Sequence, residues 1–215
     1  MSPGFAAAVV VGAYLLGSVS FSVLVVRLVQ GLDIRTVGSG NAGATNALRA
    51  AGRTAGAVVL VLDVAKGITA VAVPRALDAT PSVVGGAAVA VVIGHVFPVF
   101  FGFRGGKGVA TSAGALGTLA PAAMALGLVV FVTVVIWKRY VSLGSIVTAA
   151  LIPLLVASCL RLGWVRSGGT WLLLPSTAIA LIIIIRHARN LRRLRQGTEP
   201  RLGERRREPA KEERG

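Results

Sequence analysis

The sequence predicts an all-α fold, a polytopic bundle of transmembrane helices, from its composition and from the placement of its charges. Hydrophobic residues make up 54% and charged residues 14% of the 215-residue chain, whereas about 25% of the residues of a soluble domain are charged. The basic residues behind the net charge of +15 lie between apolar stretches and in the C-terminal tail. This placement indicates membrane topology and argues against a nucleic-acid partner. The single cysteine, Cys159, excludes a disulfide framework and a cysteine-rich metal site.

Six stretches of the chain are long and apolar enough to form membrane spans, since a helix needs about 20 residues to cross the hydrocarbon core. Apart from Asp63 and Lys66 in the second, they carry no charge; they cover residues 5–26, 54–73, 82–103, 108–137, 140–160 and 167–185. The fourth stretch is too long for one upright helix and contains Pro121 near its middle. It is either one tilted helix or a hairpin of two short helices that turns at Pro121.

The distribution of Lys and Arg favours the hairpin. With seven helices and the N-terminus outside, nearly all of the 23 basic residues fall in cytoplasmic segments. With six helices the basic tail would fall outside. We therefore predict seven helices with a cytoplasmic C-terminus, a membrane domain over residues 1–195, and a basic, disordered tail over residues 196–215 near anionic lipid headgroups.

The first polar segment, residues 37–49, combines glycines with small hydrogen-bonding side chains. Its literal G-x-G-x-x-G does not indicate a dinucleotide fold, because a membrane span precedes it where that fold requires a buried strand. Arg49 and Arg53 are one helical turn apart, so a continuous helix would place them on a common face. The segment forms either an anion-binding pocket or a tight turn whose polar groups cap short helices. Its candidate ligand-binding side chains are Ser39, Asn41, Thr45, Asn46 and Arg49.

The second polar segment, residues 94–111, has a glycine-rich turn with a lysine at its centre. Gly105, Gly106 and Gly108 surround Lys107, and Arg104 precedes them. Backbone N–H groups of such a turn can form an anion nest, and a lysine adds a point charge. Phosphate binding is therefore favoured over a flexible turn at the bilayer surface, although the residues do not fit a Walker A loop.

The third polar segment, residues 186–199, begins just after the last apolar stretch. His187 and Asn190 are spaced i, i+3, so a helix places them on one face. A histidine there could act as a general base or hydrogen-bond a phosphate oxygen. The alternative is that the arginines of this segment are an ordinary cytoplasmic anchor and the histidine is incidental.

Two charges, Asp63 and Lys66, lie within a predicted span at i, i+3 spacing. Charges inside a membrane are costly and indicate function by default. Mutual pairing that holds the bundle together is the interpretation we favour, and His95, also within a span, is expected to be a packing residue.

Together these segments resemble the membrane-embedded, acyl-phosphate-dependent glycerol-3-phosphate acyltransferases of bacteria. The resemblance is carried by GSGNAGATNALR at 38–49, DVAKG at 63–67, GHVFPVFFGFRGGKGVAT at 94–111, KRYVSLGS at 138–145 and RHARNLRRLRQGTE at 186–199. Five segments in the same order are specific, where any one would be weak.

The resemblance implies transfer of a fatty acyl group from acyl phosphate to the 1-hydroxyl of sn-glycerol 3-phosphate. The products would be lysophosphatidic acid and phosphate, in the first step of phospholipid biosynthesis. It implies that the catalytic residues are Ser39, Arg49, Lys107, His187 and Asn190. It assigns Gly105, Gly106 and Gly108 to glycerol-phosphate binding and a structural role to Glu199, and we add Ser142 of the fourth segment as a substrate-binding candidate.

The expected partners are glycerol 3-phosphate, a fatty acyl phosphate and membrane lipid, without a metal or other cofactor. The expected location is the bacterial inner membrane, with the active site facing the cytoplasm. The H-x-x-x-x-D motif of other glycerol-3-phosphate acyltransferases is absent, so the base is either His187 or an oxygen of the acyl phosphate. The alternatives are a transporter for a small organic phosphate and a noncatalytic scaffold that binds partners through its tail.

Overall fold

The computed structural model describes residues 2–165 and 169–204, where the regular secondary structure is helical. Its α-helices are α1 (Pro3–Ser18), α2 (Phe21–Gln30), α3 (Ala44–Ala76), α4 (Pro81–Val96), α5 (Val109–Leu119), α6 (Pro121–Lys138), α7 (Val141–Arg161), α8 (Leu173–Arg186) and α9 (Ala188–Arg195). Five segments are long and apolar enough to cross a membrane, and α8 with α9, bent by 54°, could form a sixth. The predicted all-α membrane fold is confirmed, whereas the count of seven spans and the outward N-terminus stay predictions.

Two of the apolar stretches are each divided into two helices. The first breaks between α1 and α2, and the fourth breaks at Ala120, whose φ of −141° and ψ of 72° are not helical. The ring of Pro121 disfavours the helical conformation in the residue before it. Of the two helices expected here, α5 has only 11 residues, but α6 has 18 and is long enough to span the membrane.

Helix α3 is longer than the span predicted over residues 54–73, because its first turns are formed by the end of the first polar segment. Gly52, with φ of 89° and ψ of −178°, interrupts its helical geometry. The expectation that Arg49 and Arg53 share a helical face is therefore wrong, since this kink lies between them.

Glycines allow the backbones of neighbouring helices to pack in direct contact. A β-carbon on Gly17 or Gly94 would lie closer than 3.0 Å to a backbone oxygen of the facing helix, which joins α1 to α4. Gly67 and Gly114 join α3 to α5 in the same way. Small residues at such contacts are the usual means of packing helices in a membrane, where no hydrophobic force drives them together.

The two charges within α3 form a buried pair. Lys66 Nζ lies 2.9 Å from Asp63 Oδ1, and His95 Nδ1 lies 3.5 Å from the same oxygen. The ammonium also donates to the carbonyl oxygens of Gly17 and Val19, at the break between α1 and α2. This arrangement supports the structural interpretation, because the pair ties three helices together and satisfies carbonyls that the break leaves without helical partners.

The chain beyond α9 returns to the bundle. The Leu202 N–H donates to the Arg139 carbonyl at 2.6 Å, and the Arg139 guanidinium donates to the Leu202 carbonyl at 2.9 Å. Arg201 Nε donates to the Tyr140 hydroxyl at 3.2 Å. Residues 196–204 of the predicted disordered tail are therefore folded against the turn between α6 and α7, and residues 205–215 lie outside the described part of the chain.

Candidate active site

The first polar segment is a loop folded around one asparagine side chain. Asn46 Oδ1 accepts from the Ser39 N–H at 3.0 Å, and Asn46 Nδ2 donates to the carbonyls of Ile34 and Val37 at 3.1 and 3.0 Å. The side chain is buried. Asn46 therefore holds the loop together, and both of its amide hydrogens are already engaged. It has no hydrogen left to donate to a phosphate, which argues against the expected contact with substrate.

An arginine that the sequence did not single out connects this loop to the second one. Arg35 Nη1 donates to the Phe101 carbonyl at 2.7 Å, while its Nε and Nη2 bind the Asp33 carboxylate. The hydrogen bonds from Arg35 lower the pKa of Asp33, so the pair is ionised at neutral pH. Arg35 and Phe101 are 66 positions apart in the chain, so no local sequence pattern predicts their contact.

Two amides of the glycine-rich turn do not contribute to the expected anion nest. The N–H of Gly105 donates to the Val96 carbonyl at 3.2 Å, and that of Gly106 to the His95 carbonyl at 3.1 Å. These amides close the end of α4 and are not available to an anion. The glycines are needed instead for space, because a β-carbon on Gly106 would lie 2.5 Å from the carbonyl oxygen of Ala42 in the first loop.

Lys107 connects this turn to the third polar segment. Its ammonium donates to Asn190 Oδ1, Asn190 Nδ2 donates to Glu199 Oε1 at 2.6 Å, and Arg193 Nε donates to Glu199 Oε2 at 2.7 Å. The buried Ser142 hydroxyl faces the same carboxylate without a hydrogen bond of normal geometry. Burial raises the pKa of Glu199, but the donors around it outweigh burial and hold that pKa below its ordinary value.

The charges around Lys107 are mostly positive. Burial is the main cause that lowers the pKa of Lys107, to about 8; Glu199 opposes the shift, and Arg193, Arg186 and Arg49 add to it. One carboxylate thus faces a group of cations. Such an excess of positive charge suits a multiply charged anion, which would raise the lysine pKa again on binding.

His187 lies in the bend between α8 and α9, beyond the end of the apolar span. Its Nδ1 is 2.8 Å from the Ile183 carbonyl oxygen. A carbonyl only accepts, so the ring proton is on Nδ1 and Nε2 carries the lone pair. Burial and the charge of Lys107 lower the pKa of His187 to about 4, so the ring is neutral at pH 7.

The other predicted site residues differ in their solvent exposure. Ser39, Asn41 and Thr45 are half-buried on the first loop, whereas Arg49 and Arg104 are exposed. The structure thus brings together the first loop, the glycine turn, the start of α7 and the third segment. Asp63 and Lys66 lie apart, within the bundle. Among the described residues, no group of three His, Cys, Asp or Glu side chains could hold a metal ion.

Comparison with known proteins places this arrangement in a family. A family model described as glycerol-3-phosphate acyltransferase matches residues 7–197. Proteins named glycerol-3-phosphate acyltransferase are similar over nearly the whole chain. The one from Halalkalibacterium halodurans is 44% identical over 90% of this chain and 94% of its own length. The one from Anaeromyxobacter dehalogenans is 45% identical over 94% and 100%.

Solved structures show the same fold. The crystal structure of PlsY, an integral membrane glycerol 3-phosphate acyltransferase, in its glycerol 3-phosphate form is 38% identical with a TM-score of 0.84. The comparison covers 93% of this chain and 96% of that chain. Its lysophosphatidic acid form is 36% identical over the same shares, with a TM-score of 0.80. The extent of both the sequence and the structural match shows that the chain belongs to the glycerol-3-phosphate acyltransferase family.

Proposed function

We propose that this protein transfers a fatty acyl group from acyl phosphate to the 1-hydroxyl of sn-glycerol 3-phosphate and releases lysophosphatidic acid and inorganic phosphate. The observation that carries the proposal is the half-buried Lys107, which lies near a neutral His187 and within a group of cations. The crystal forms of the related PlsY, with glycerol 3-phosphate and with lysophosphatidic acid, support the same acceptor and product.

The acceptor's phosphate would bind at Lys107, with Arg49 approaching from the first loop. Asn190 fixes the ammonium in place through its hydrogen bond, and Glu199 fixes Asn190. The glycerol 1-hydroxyl would then donate to Nε2 of His187, which orients the oxygen toward the donor carbonyl. Ser39, Asn41 and Thr45 of the first loop are the polar groups that would complete the pocket. Most of the rate gain would come from positioning and charge stabilisation.

The chemical step balances without an added base. The hydroxyl oxygen attacks the carbonyl carbon, a carbon–oxygen bond forms, and the bond from that carbon to the phosphate oxygen breaks. The phosphate leaves with the electron pair, and the hydroxyl proton passes to one of its oxygens, directly or through His187. A phosphate with a second pKa of about 6 is a stronger base than an imidazole with a pKa of about 4. The phosphate is therefore the final proton acceptor.

The proposed setting is the inner membrane of a bacterium with this site at the cytoplasmic face. The positive-inside rule supports this orientation, because Lys107, Arg49 and the arginines of α9 lie on the loops that carry most of the basic residues. A lipid-borne donor and a water-borne acceptor meet at such a boundary.

The test is phosphate release from palmitoyl phosphate by the purified full-length protein. We expect release only when glycerol 3-phosphate is present, with an equal amount of lysophosphatidic acid detected by mass spectrometry. Lys107→Ala should abolish this activity. Lys138→Ala, which changes an exposed lysine at the end of α6, is the matched control and should retain it.

Two outcomes would contradict the proposal. Acyl-CoA or acyl carrier protein used in parallel as the better donor would overturn the assignment of acyl phosphate. Lysine-dependent flux of glycerol 3-phosphate into liposomes, without product, would instead establish the transporter.

A further inference from the structure

Arg186, the last residue of α8, forms no ion pair with any residue that the structure describes. Its Nε is buried and has no hydrogen-bond partner in the part of the chain that the structure describes. Its guanidinium lies 5.5 Å from the centre of the Phe97 ring. A buried donor without an acceptor is unfavourable, and more so when it is charged. An anionic ligand would supply the missing acceptor.

The position of Arg186 places it in the active site. It precedes His187 in the chain, and its charge acts on both His187 and Lys107. Phe97, which it faces, begins the loop that leads to Lys107, and the Phe97 carbonyl accepts a hydrogen bond from the Tyr14 hydroxyl. Arg186 and Lys107 thus offer two cationic positions at opposite ends of one loop.

Exposed apolar side chains lie next to Arg186. Phe97 is 44% exposed and Ile185 is 69% exposed, and Ile93 lies exposed one turn before Phe97 on α4. A ligand for this position would combine an anionic head with a hydrocarbon chain. Glycerol 3-phosphate has no such chain, whereas an acyl phosphate has both parts.

We propose that Arg186 binds the phosphate of the acyl donor, and that the acyl chain leaves the site across Phe97 toward the lipid. The inference rests on the proposed function, in which each of two reactants brings a phosphate. Lys107 then serves the acceptor and Arg186 the donor. The carbonyl carbon, attached to the donor phosphate, would lie between the two cations, within reach of the hydroxyl held at His187.

The experiment measures the KM of each substrate separately in Arg186→Gln. We expect the KM for palmitoyl phosphate to rise by roughly 10- to 100-fold, as for the loss of a hydrogen bond to a charged group. The KM for glycerol 3-phosphate should stay within about twofold, and Arg186→Lys should restore part of the loss. Arg189→Gln, at an exposed position on α9, is the matched control and should change neither constant.

A probe that does not react separates this inference from the proposed function. Hexadecyl phosphate should compete with palmitoyl phosphate in the wild-type protein, and calorimetry in detergent should show at least tenfold weaker binding to Arg186→Gln. A selective rise in the KM for glycerol 3-phosphate, or unchanged constants in a folded variant, would overturn the assignment of Arg186. If the wild type transfers no acyl group from acyl phosphate but binds hexadecyl phosphate through Arg186, the proposed function fails and the lipid-phosphate site stands.

Discussion

Replacing Gly106 with alanine tests whether the glycine turn acts through space or through its backbone amides. The added β-carbon would lie 2.5 Å from the Ala42 carbonyl oxygen and would also meet the His95 imidazole. Neither neighbour can move easily, since Ala42 O is backbone and His95 is packed against the buried pair of α3. The turn itself must therefore shift.

The size of the shift sets the expected effect. An ordinary carbon–oxygen contact of 3.4 Å or more requires the turn to move by roughly 1 Å, and a misplacement of that size can cost about 100-fold in rate. Because Lys107 follows Gly106 directly, the ammonium moves with it. We expect kcat/KM for glycerol 3-phosphate to fall by about 100-fold, or about 2.7 kcal/mol, mainly through KM.

The assay is acyl transfer with glycerol 3-phosphate varied at saturating palmitoyl phosphate. Gly12→Ala is the matched control, because a β-carbon there meets nothing within 4 Å, and its kinetics should stay within about twofold of wild type. A normal KM in Gly106→Ala would refute the steric argument. It would show that the first two loops are not packed as closely as the structure has them.

Two further predictions concern the charge on Lys107 and the loop around Asn46. With the Lys107 pKa at about 8, kcat/KM for glycerol 3-phosphate should fall about tenfold per pH unit above pH 8 as the ammonium deprotonates. In Lys107→Arg that decline should disappear from the pH profile up to pH 10, and an unchanged profile would assign it to another group. Asn46→Ala leaves the carbonyls of Ile34 and Val37 and the N–H of Ser39 without their side-chain partner. It should lower the thermal unfolding midpoint by about 4–8 °C, whereas an unchanged midpoint with a raised KM would return Asn46 to the substrate site.

Local patterns predicted the membrane helices and the polar segments between them. Apolar length and a proline are properties of a short stretch of chain, so the break before Pro121 could be placed without tertiary information. The spacing of His187 and Asn190 indicated proximity, and both are buried in the cluster around Lys107.

Interactions between distant segments were not predictable. The Arg35 bond to Phe101 and the return of Leu202 to Arg139 each join residues more than 60 positions apart. The second contact explains why the segment after α9, expected to be disordered, is folded. The same return of the chain places Glu199 beside Asn190. The sequence identified Glu199 only through the family resemblance.

The roles of the glycines and of Asn46 could not be predicted from the sequence, because they depend on which backbone carbonyls lie within hydrogen-bonding distance. A glycine-rich turn beside a lysine is compatible with an anion nest, but the carbonyls at the end of α4 need donors and take the Gly105 and Gly106 amides. Likewise, Asn46 is a sound ligand candidate until the carbonyls of Ile34 and Val37 are found to require its amide hydrogens.

The engaged amides limit how the proposed site would bind phosphate. Because the N–H groups of Gly105 and Gly106 are bonded to α4, a phosphate bound there would depend more on positive side chains than on these two amides. Lys107 is held by Asn190, and Glu199, which aligns Asn190, is shared with Arg193, so a single carboxylate orders the cluster without neutralising it. A second carboxylate would hold the cations equally well but would compete with the substrate. In the proposed function, the excess of positive charge is therefore a requirement of the site.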